Sequence, residues 1–305
     1  MSAEPKVAGA PITWGVSELA AWGYRLPPAQ VLAEMKEVGL EATELGPPGY
    51  LPEDPEARAE LLDRHDLRLV AGFLAAVLHD RSRPALDEIE HSARTLEASG
   101  AEVLVLAAAL PGDSYDRDER LASTDWIALT EALVAAEEIA SAHRLRLAFH
   151  PHSGTAVANR EDIFRLLETT SVELCLDTGH LFLGGVDPAA IARDAAGRVS
   201  HVHLKDVDAN VARCVRGGDL SYAEGVREGL YRPLGEGDLD IEEVVGRMQD
   251  SGYRGWYVLE QDTALTAEPD PAHGPLEAAR QSLEYFRRVI SAKQHITAVE
   301  GGLNL

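Results

Sequence analysis

Residues 172–204 read VELCLDTGHLFLGGVDPAAIARDAAGRVSHVHL. An apolar run, Val172–Asp177, ends in a carboxylate, and a helical segment, Pro188–Ala195, follows it. A second apolar run, Val199–Leu204, carries His201 and His203 at the two-residue spacing of one strand face. Strand, helix, strand in this order is the repeating unit of a parallel sheet. Working outward, the same alternation holds along the chain. Further candidate strands are Val7–Ile12, Ala42–Leu45, Leu67–Phe73, Val103–Ala107, Arg146–His150 and Trp256–Glu260. Helical segments lie near Pro28–Val38, Pro55–His65, Pro84–Ala98, Asp125–Ala142, Arg160–Thr169, Ile241–Gln249 and Leu276–Ser291. Pro28, Pro188 and Asp240 stand at their starts, where a missing N–H is harmless or a side chain can cap. Eight strand–helix pairs are the number that closes a barrel, so the expected fold is α/β, a (β/α)8 barrel occupying one domain, 1–291. A doubly wound open sheet is disfavoured, because no GxGxxG turn follows the first strand. The glycine-bearing stretch 206–240 reads as a lid-like loop, and 292–305 as a C-terminal tail that frays or packs on a neighbouring subunit.

Composition narrows the function. Of 305 residues, 51 are Asp or Glu against 28 Lys or Arg, a formal net charge of −23. Such a surface repels phosphate backbones and anionic lipid, so neither nucleic acid nor membrane is an expected partner. A small neutral polyol or keto-sugar suits it better. The two cysteines, Cys175 and Cys214, form no CxxC pair, which fits a reducing, cytoplasmic setting and not a disulfide scaffold. Cys175 alternates with inward positions and reads as core. No apolar run approaches the ~20 residues of a membrane span, and the N-terminus has no apolar signal core.

Chemistry concentrates in the second half. The fifth strand ends at His150, the sixth at Asp177, the seventh delivers His203, and the eighth ends at Glu260. In a barrel these C-terminal ends converge on one circle, where active sites of this fold are built. Two imidazoles and two carboxylates suit a divalent ion, with Mn2+ or Co2+ first and Fe2+ or Zn2+ within the same chemistry. The carboxylates balance its charge, and four separate strands leave room for a substrate oxygen. His152, in His-Pro-His, competes with His150 as the ligand. His201 shares the parity of His203, one layer deeper.

With these residues in view, the sequence resembles the xylose-isomerase-like TIM barrel superfamily of sugar phosphate isomerases and epimerases, and within it the inosose (2-keto-myo-inositol) dehydratase branch. The resemblance spans roughly Ala10 to Ser291. It is carried by Leu176-Asp-Thr-Gly-His180 and His201-Val-His-Leu-Lys-Asp206 for the superfamily, and by Ala10-Pro-Ile-Thr-Trp-Gly15 and Glu44-Leu-Gly-Pro-Pro-Gly-Tyr-Leu-Pro52 for the branch. It implies a metal at Asp177, His203 and Glu260, with a fourth ligand at the end of the fifth strand. There the epimerases and isomerases place a glutamate that also moves protons, and this chain has His150. The implied reaction is therefore metal-dependent dehydration of an inosose-type keto-polyol, a carbon–oxygen lyase of myo-inositol catabolism. The alternative is a sugar or inosose isomerase or epimerase using the same metal. Acid–base candidates are Glu260, His152, Lys205 and His180. Lys205 serves either with a depressed pKa or as a charged donor to a developing oxyanion. Trp14, Glu44, His180 and Lys205 are the expected substrate contacts. A homodimer or homotetramer accompanies the resemblance.

Overall fold

The computed structural model describes residues 5–19, 22–81, 85–112, 115–116, 119–270 and 274–302. In chain order the elements are β1 (Lys6–Gly9), α1 (Pro28–Val38), β2 (Ala42–Glu44), α2 (Pro55–Arg64), β3 (Arg68–Ala76), α3 (Leu86–Ala98), β4 (Val103–Ala108) and α4 (Ser123–Ala142). They continue with β5 (Arg146–Phe149), α5 (Arg160–Thr169), β6 (Leu174–Asp177), α6 (Thr178–Leu183), α7 (Pro188–Asp194) and β7 (Val199–Leu204). The remainder are β8 (Asp206–Val207), α8 (Ala209–Gly217), α9 (Tyr222–Arg227), β9 (Tyr231–Arg232), α10 (Ile241–Asp250), β10 (Trp256–Leu259) and α11 (Pro275–Gly302). Eight parallel strands close a barrel in the order β1-β10-β7-β6-β5-β4-β3-β2. The expected (β/α)8 architecture is the one observed.

Local chemistry sets the boundaries. Asp240 caps α10 by accepting from the Glu243 N–H, and Asp187 caps α7 ahead of Pro188. The expected first strand, Val7–Ile12, leaves the sheet at Gly9. Pro11 has no N–H for the ladder and opens a single 3-10 turn, Pro11–Trp14. The expected start of the third helix, Pro84, lies outside the described residues.

Apolar side chains pack in two shells. One lies between strands and helices, and a smaller one fills the barrel interior with Ala8, Ala42, Ala71, Val105, Ala148, Cys175, Trp256 and Val258. Cys175 is therefore core, and burial pushes its thiol pKa up to about 11.

Two expectations need correction. The stretch 206–240 is not a bare loop. It folds as β8, α8, α9 and β9, with β8 and β9 paired antiparallel and a hydrophobic cluster including Val207, Ala212, Tyr222, Val226, Leu230 and Tyr231. At least one of its glycines is a packing residue: a Cβ on Gly225 would collide with Val215 of α8. The segment after Ser291 is not a separate tail either, since the backbone of α11 runs helical through Gly302; residues 303–305 lie outside the described residues. Among the described residues no helix is long and apolar enough to cross a membrane.

Candidate active site

Register places the polar strand ends level with one another. Asp177 pairs with His203 across β6 and β7, and His203 pairs with Val258 across β7 and β10. The Glu260 N–H donates to Leu204 O just beyond β10. His150, Asp177, His203 and Lys205 are at most 3% exposed.

In Asp177, His150 and His203 the second polar atom of the side chain is engaged elsewhere. Asp177 ends β6 and caps α6, its Oδ1 accepting from the His180 N–H at 2.8 Å, which leaves Oδ2. His150 Nδ1 lies 2.9 Å from Pro151 O and donates to it, so the Nε2 lone pair is free. His203 Nε2 lies 3.1 Å from Glu44 Oε1, which leaves Nδ1. Asp177 Oδ2, His203 Nδ1 and Glu260 Oε2 are buried and carry no hydrogen bond. Yet His203 Nδ1 is 2.9 Å from Glu260 Oε2 and 3.5 Å from Asp177 Oδ2, and His150 Nε2 is 3.5 Å from the same Oδ2. Acceptors so close repel one another unless a proton or cation lies between them. Atoms held about 2.1 Å from one divalent ion are separated by roughly 3–3.4 Å. These orphaned atoms and their spacing fit a divalent ion.

Lys205 stands beside this set, its Nζ 3.2 Å from Glu260, 3.5 Å from Asp177 and 2.7 Å from Asp262. Burial opposes its charge, but Asp177, Asp262 and Glu260 outweigh it and hold the pKa well above the ordinary lysine value. Of the two expected roles for Lys205, this surrounding of carboxylates favours the charged donor over the depressed pKa. His152 and His180 behave oppositely: burial, then the crowding of neighbouring imidazoles and Lys205, push both well below the ordinary histidine value, so both are neutral. Their rings lie 3.7 Å apart, and His180 Nε2 is 3.2 Å from Lys205 Nζ. His152 Nδ1 donates to Ser153 O at 2.7 Å, which puts its basic lone pair on Nε2.

A cavity of about 220 Å3 opens over these groups. That is smaller than the roughly 300–1,000 Å3 of drug-sized pockets and suits a compact ring. Glu44, His150, His152, His203, Lys205 and Glu260 line it, together with Trp22, Phe73, Tyr115, Tyr222 and Asp262. Two expected substrate contacts are placed differently. Trp14 is fully buried in the shell between strands and helices, its indole N–H donating to Glu34 of α1 at 2.7 Å, because the 3-10 turn rotates it away from the mouth. Trp22 provides the indole at the cavity. His180 is 1% exposed and lies behind His152, off the cavity wall.

Trp22, Phe73, Tyr115, Tyr222 and Asp262 all line the cavity and escaped the sequence reading. Asp262 shares strand parity with Glu260, a signal that was available. Tyr222 donates to Asp262 at 2.7 Å and lies 3.0 Å from the Tyr231 hydroxyl, but both tyrosines sit in the excursion read as a loop. Tyr115 bonds Glu18 across the mouth.

Residues 32–289 match the family described as the xylose isomerase-like TIM barrel. The chain belongs to that family. Within it, the chain is 33% identical over 296 residues to the rhizopine catabolism protein MocC of Rhizobium meliloti, covering 94% of this chain and 89% of that one. It is 30% identical over 311 residues to the inosose dehydratase of Geobacillus kaustophilus, covering 97% of each. Solved structures share the fold at low identity. An L-ribulose 3-epimerase superposes with a TM-score of 0.72 at 13% identity, over 97% of this chain and 98% of that one. The IOLI protein with a bound zinc atom gives 0.67 at 14%, over 94% and 99%.

Proposed function

We propose that this chain is a divalent-metal-dependent lyase that removes water from a cyclic keto-polyol of the inosose type. The observation that carries the reading is the meeting of Asp177, His203 and Glu260 donor atoms, with His150 beside Asp177, at a small cavity that also presents a charged lysine and a neutral histidine. The identity to inosose dehydratases over nearly the whole chain supports the substrate class. His150 at the end of β5, where the related epimerases are expected to use a proton-moving glutamate, favours elimination over two-sided proton transfer.

His150, Asp177, His203 and Glu260 would hold the ion, Mn2+ or Co2+ by preference, and it would supply Lewis acidity to the substrate's carbonyl and adjacent hydroxyl oxygens. Lys205 faces the negative charge that builds on the carbonyl oxygen, held in place by Asp262. His152 accepts the proton from the carbon next to the carbonyl through Nε2. The electron pair of that C–H bond forms the new C=C bond as the β C–O bond breaks. The departing hydroxyl takes the same proton back from His152 and leaves as water. His180 packs against His152 with the rings tilted by 32° and restrains its orientation. Trp22, Phe73 and Tyr222 offer apolar faces to ring C–H groups and keep bulk water out.

Incubation of the protein with 2-keto-myo-inositol and Mn2+ or Co2+ should give a product lighter by one water in mass spectrometry. Unchanged mass with an altered NMR spectrum would instead identify an isomerase or epimerase. No change of either kind with any divalent metal would sink both readings.

A further inference from the structure

Glu44 ends β2, across the barrel from the four proposed metal donors, and is 3% exposed. Its Oε1 lies 3.1 Å from His203 Nε2 and 2.8 Å from His201 Nε2. A carboxylate can only accept, so both imidazoles donate to one oxygen. For His203 this fixes the proton on Nε2 and leaves the Nδ1 lone pair among Asp177, Glu260 and His150. His201, 0% exposed and 5.2 Å from His203 centroid to centroid at 77°, braces the same oxygen from one layer below.

We infer that Glu44 is a positioning residue for the metal centre: it sets the tautomer and ring plane of His203 and raises the basicity of Nδ1. This rests on the proposed metal site and deepens it. Carboxylates that accept the far N–H of a ligating imidazole act in this way in metal sites generally, and their loss costs about 10–100-fold in metal affinity. The two contacts to Glu44 meet hydrogen-bond geometry, whereas His203 Nδ1 and Glu260 Oε2 do not despite their closeness, so Glu44, His201 and His203 are read as a bracing layer beside the ion site.

The test compares Mn2+ dissociation constants, by chelator competition, for the wild type, Asp177→Asn, Glu44→Gln and Glu44→Ala. Far-UV circular dichroism on the metal-free proteins checks the fold. Glu44→Gln keeps the shape and one acceptor oxygen while losing the charge, and is expected to weaken binding by on the order of tenfold, with Glu44→Ala nearer the upper end of that range. A purely structural role would leave a second readout unmoved. In the Zn2+-loaded, 15N-histidine-labelled protein, the His203 Nε2–H proton should resonate far downfield in the wild type and move upfield in Glu44→Gln. Should Glu44→Gln bind Mn2+ as tightly as the wild type while Asp177→Asn does not, this inference falls and the metal centre stands. Should the wild type bind no divalent ion, or Asp177→Asn bind as well as the wild type, the metal centre itself falls.

Discussion

His150 and His152 flank a single proline, yet their rings have different neighbours. Each donates from Nδ1 to a backbone carbonyl, Pro151 O and Ser153 O respectively, so each keeps a basic Nε2. His150 Nε2 lies 3.5 Å from Asp177 Oδ2, whereas the His152 ring packs, tilted, against His180 and Tyr115. This division predicts the outcome of His152→Gln. Removing the proposed base should lower kcat by about 10²–10⁴-fold, while the Mn2+ dissociation constant moves by only a few-fold. If metal affinity collapses together with activity, His152 is the ligand and the two imidazoles exchange roles. The gathering of His150, Asp177, His203 and Glu260 at one end of the barrel was legible in the sequence, because strand ends of a barrel converge on one circle. Trp14 was misread for a local reason. Proximity to a strand end does not fix side-chain direction once Pro11 has forced a 3-10 turn.

At the scale of elements, the excursion between β7 and α10 hangs on one side chain. Asp206 is 0% exposed and accepts from the N–H groups of Val207, Gly235, Gly237 and Leu239 at 2.8–3.1 Å. A Cβ at Gly237 would collide with its carboxylate, which explains the glycine there. Asp206→Ala leaves four backbone donors short of an acceptor. At about 1–3 kcal/mol for a buried unsatisfied group, with water reaching some of them, the expected loss is on the order of 4 kcal/mol. Urea unfolding at constant m-value measures it, and a loss below about 1 kcal/mol would show that the anchor lies elsewhere. The elements here were half legible. Asp208 caps α8, and Ser221 with Glu224 forms a capping box for α9, both readable signals. Their helices are short, and the glycines around them signal loop equally well. What settles the matter is the apolar cluster of Val207, Tyr222, Leu230 and Tyr231, which only tertiary packing assembles.

For the whole molecule the governing quantity is the formal net charge of −23. Two salt effects oppose each other. Exposed ion pairs, such as Arg120 with Glu161 and Arg81 with Glu131, weaken as salt screens them, but such pairs contribute only about 0–1 kcal/mol each. Repulsion among the excess carboxylates acts over longer distances and also weakens. Raising ionic strength from about 0.01 M to about 0.15 M shortens the screening length from about 30 Å to about 8 Å. That change hardly touches pairs in contact and removes most of the repulsion between charges on opposite faces, so relief of repulsion should win. The thermal midpoint, measured with a chelator present so that metal occupancy stays constant, is expected to rise by about 2 °C, the shift that roughly 1 kcal/mol produces in a large domain. A midpoint that falls with added salt would mean that contacts between opposite charges, and not the net negative field, dominate the surface electrostatics. The same field draws cations toward a mouth lined by Glu18, Glu44, Glu260 and Asp262, so the association rate of Mn2+ should fall over the same salt range.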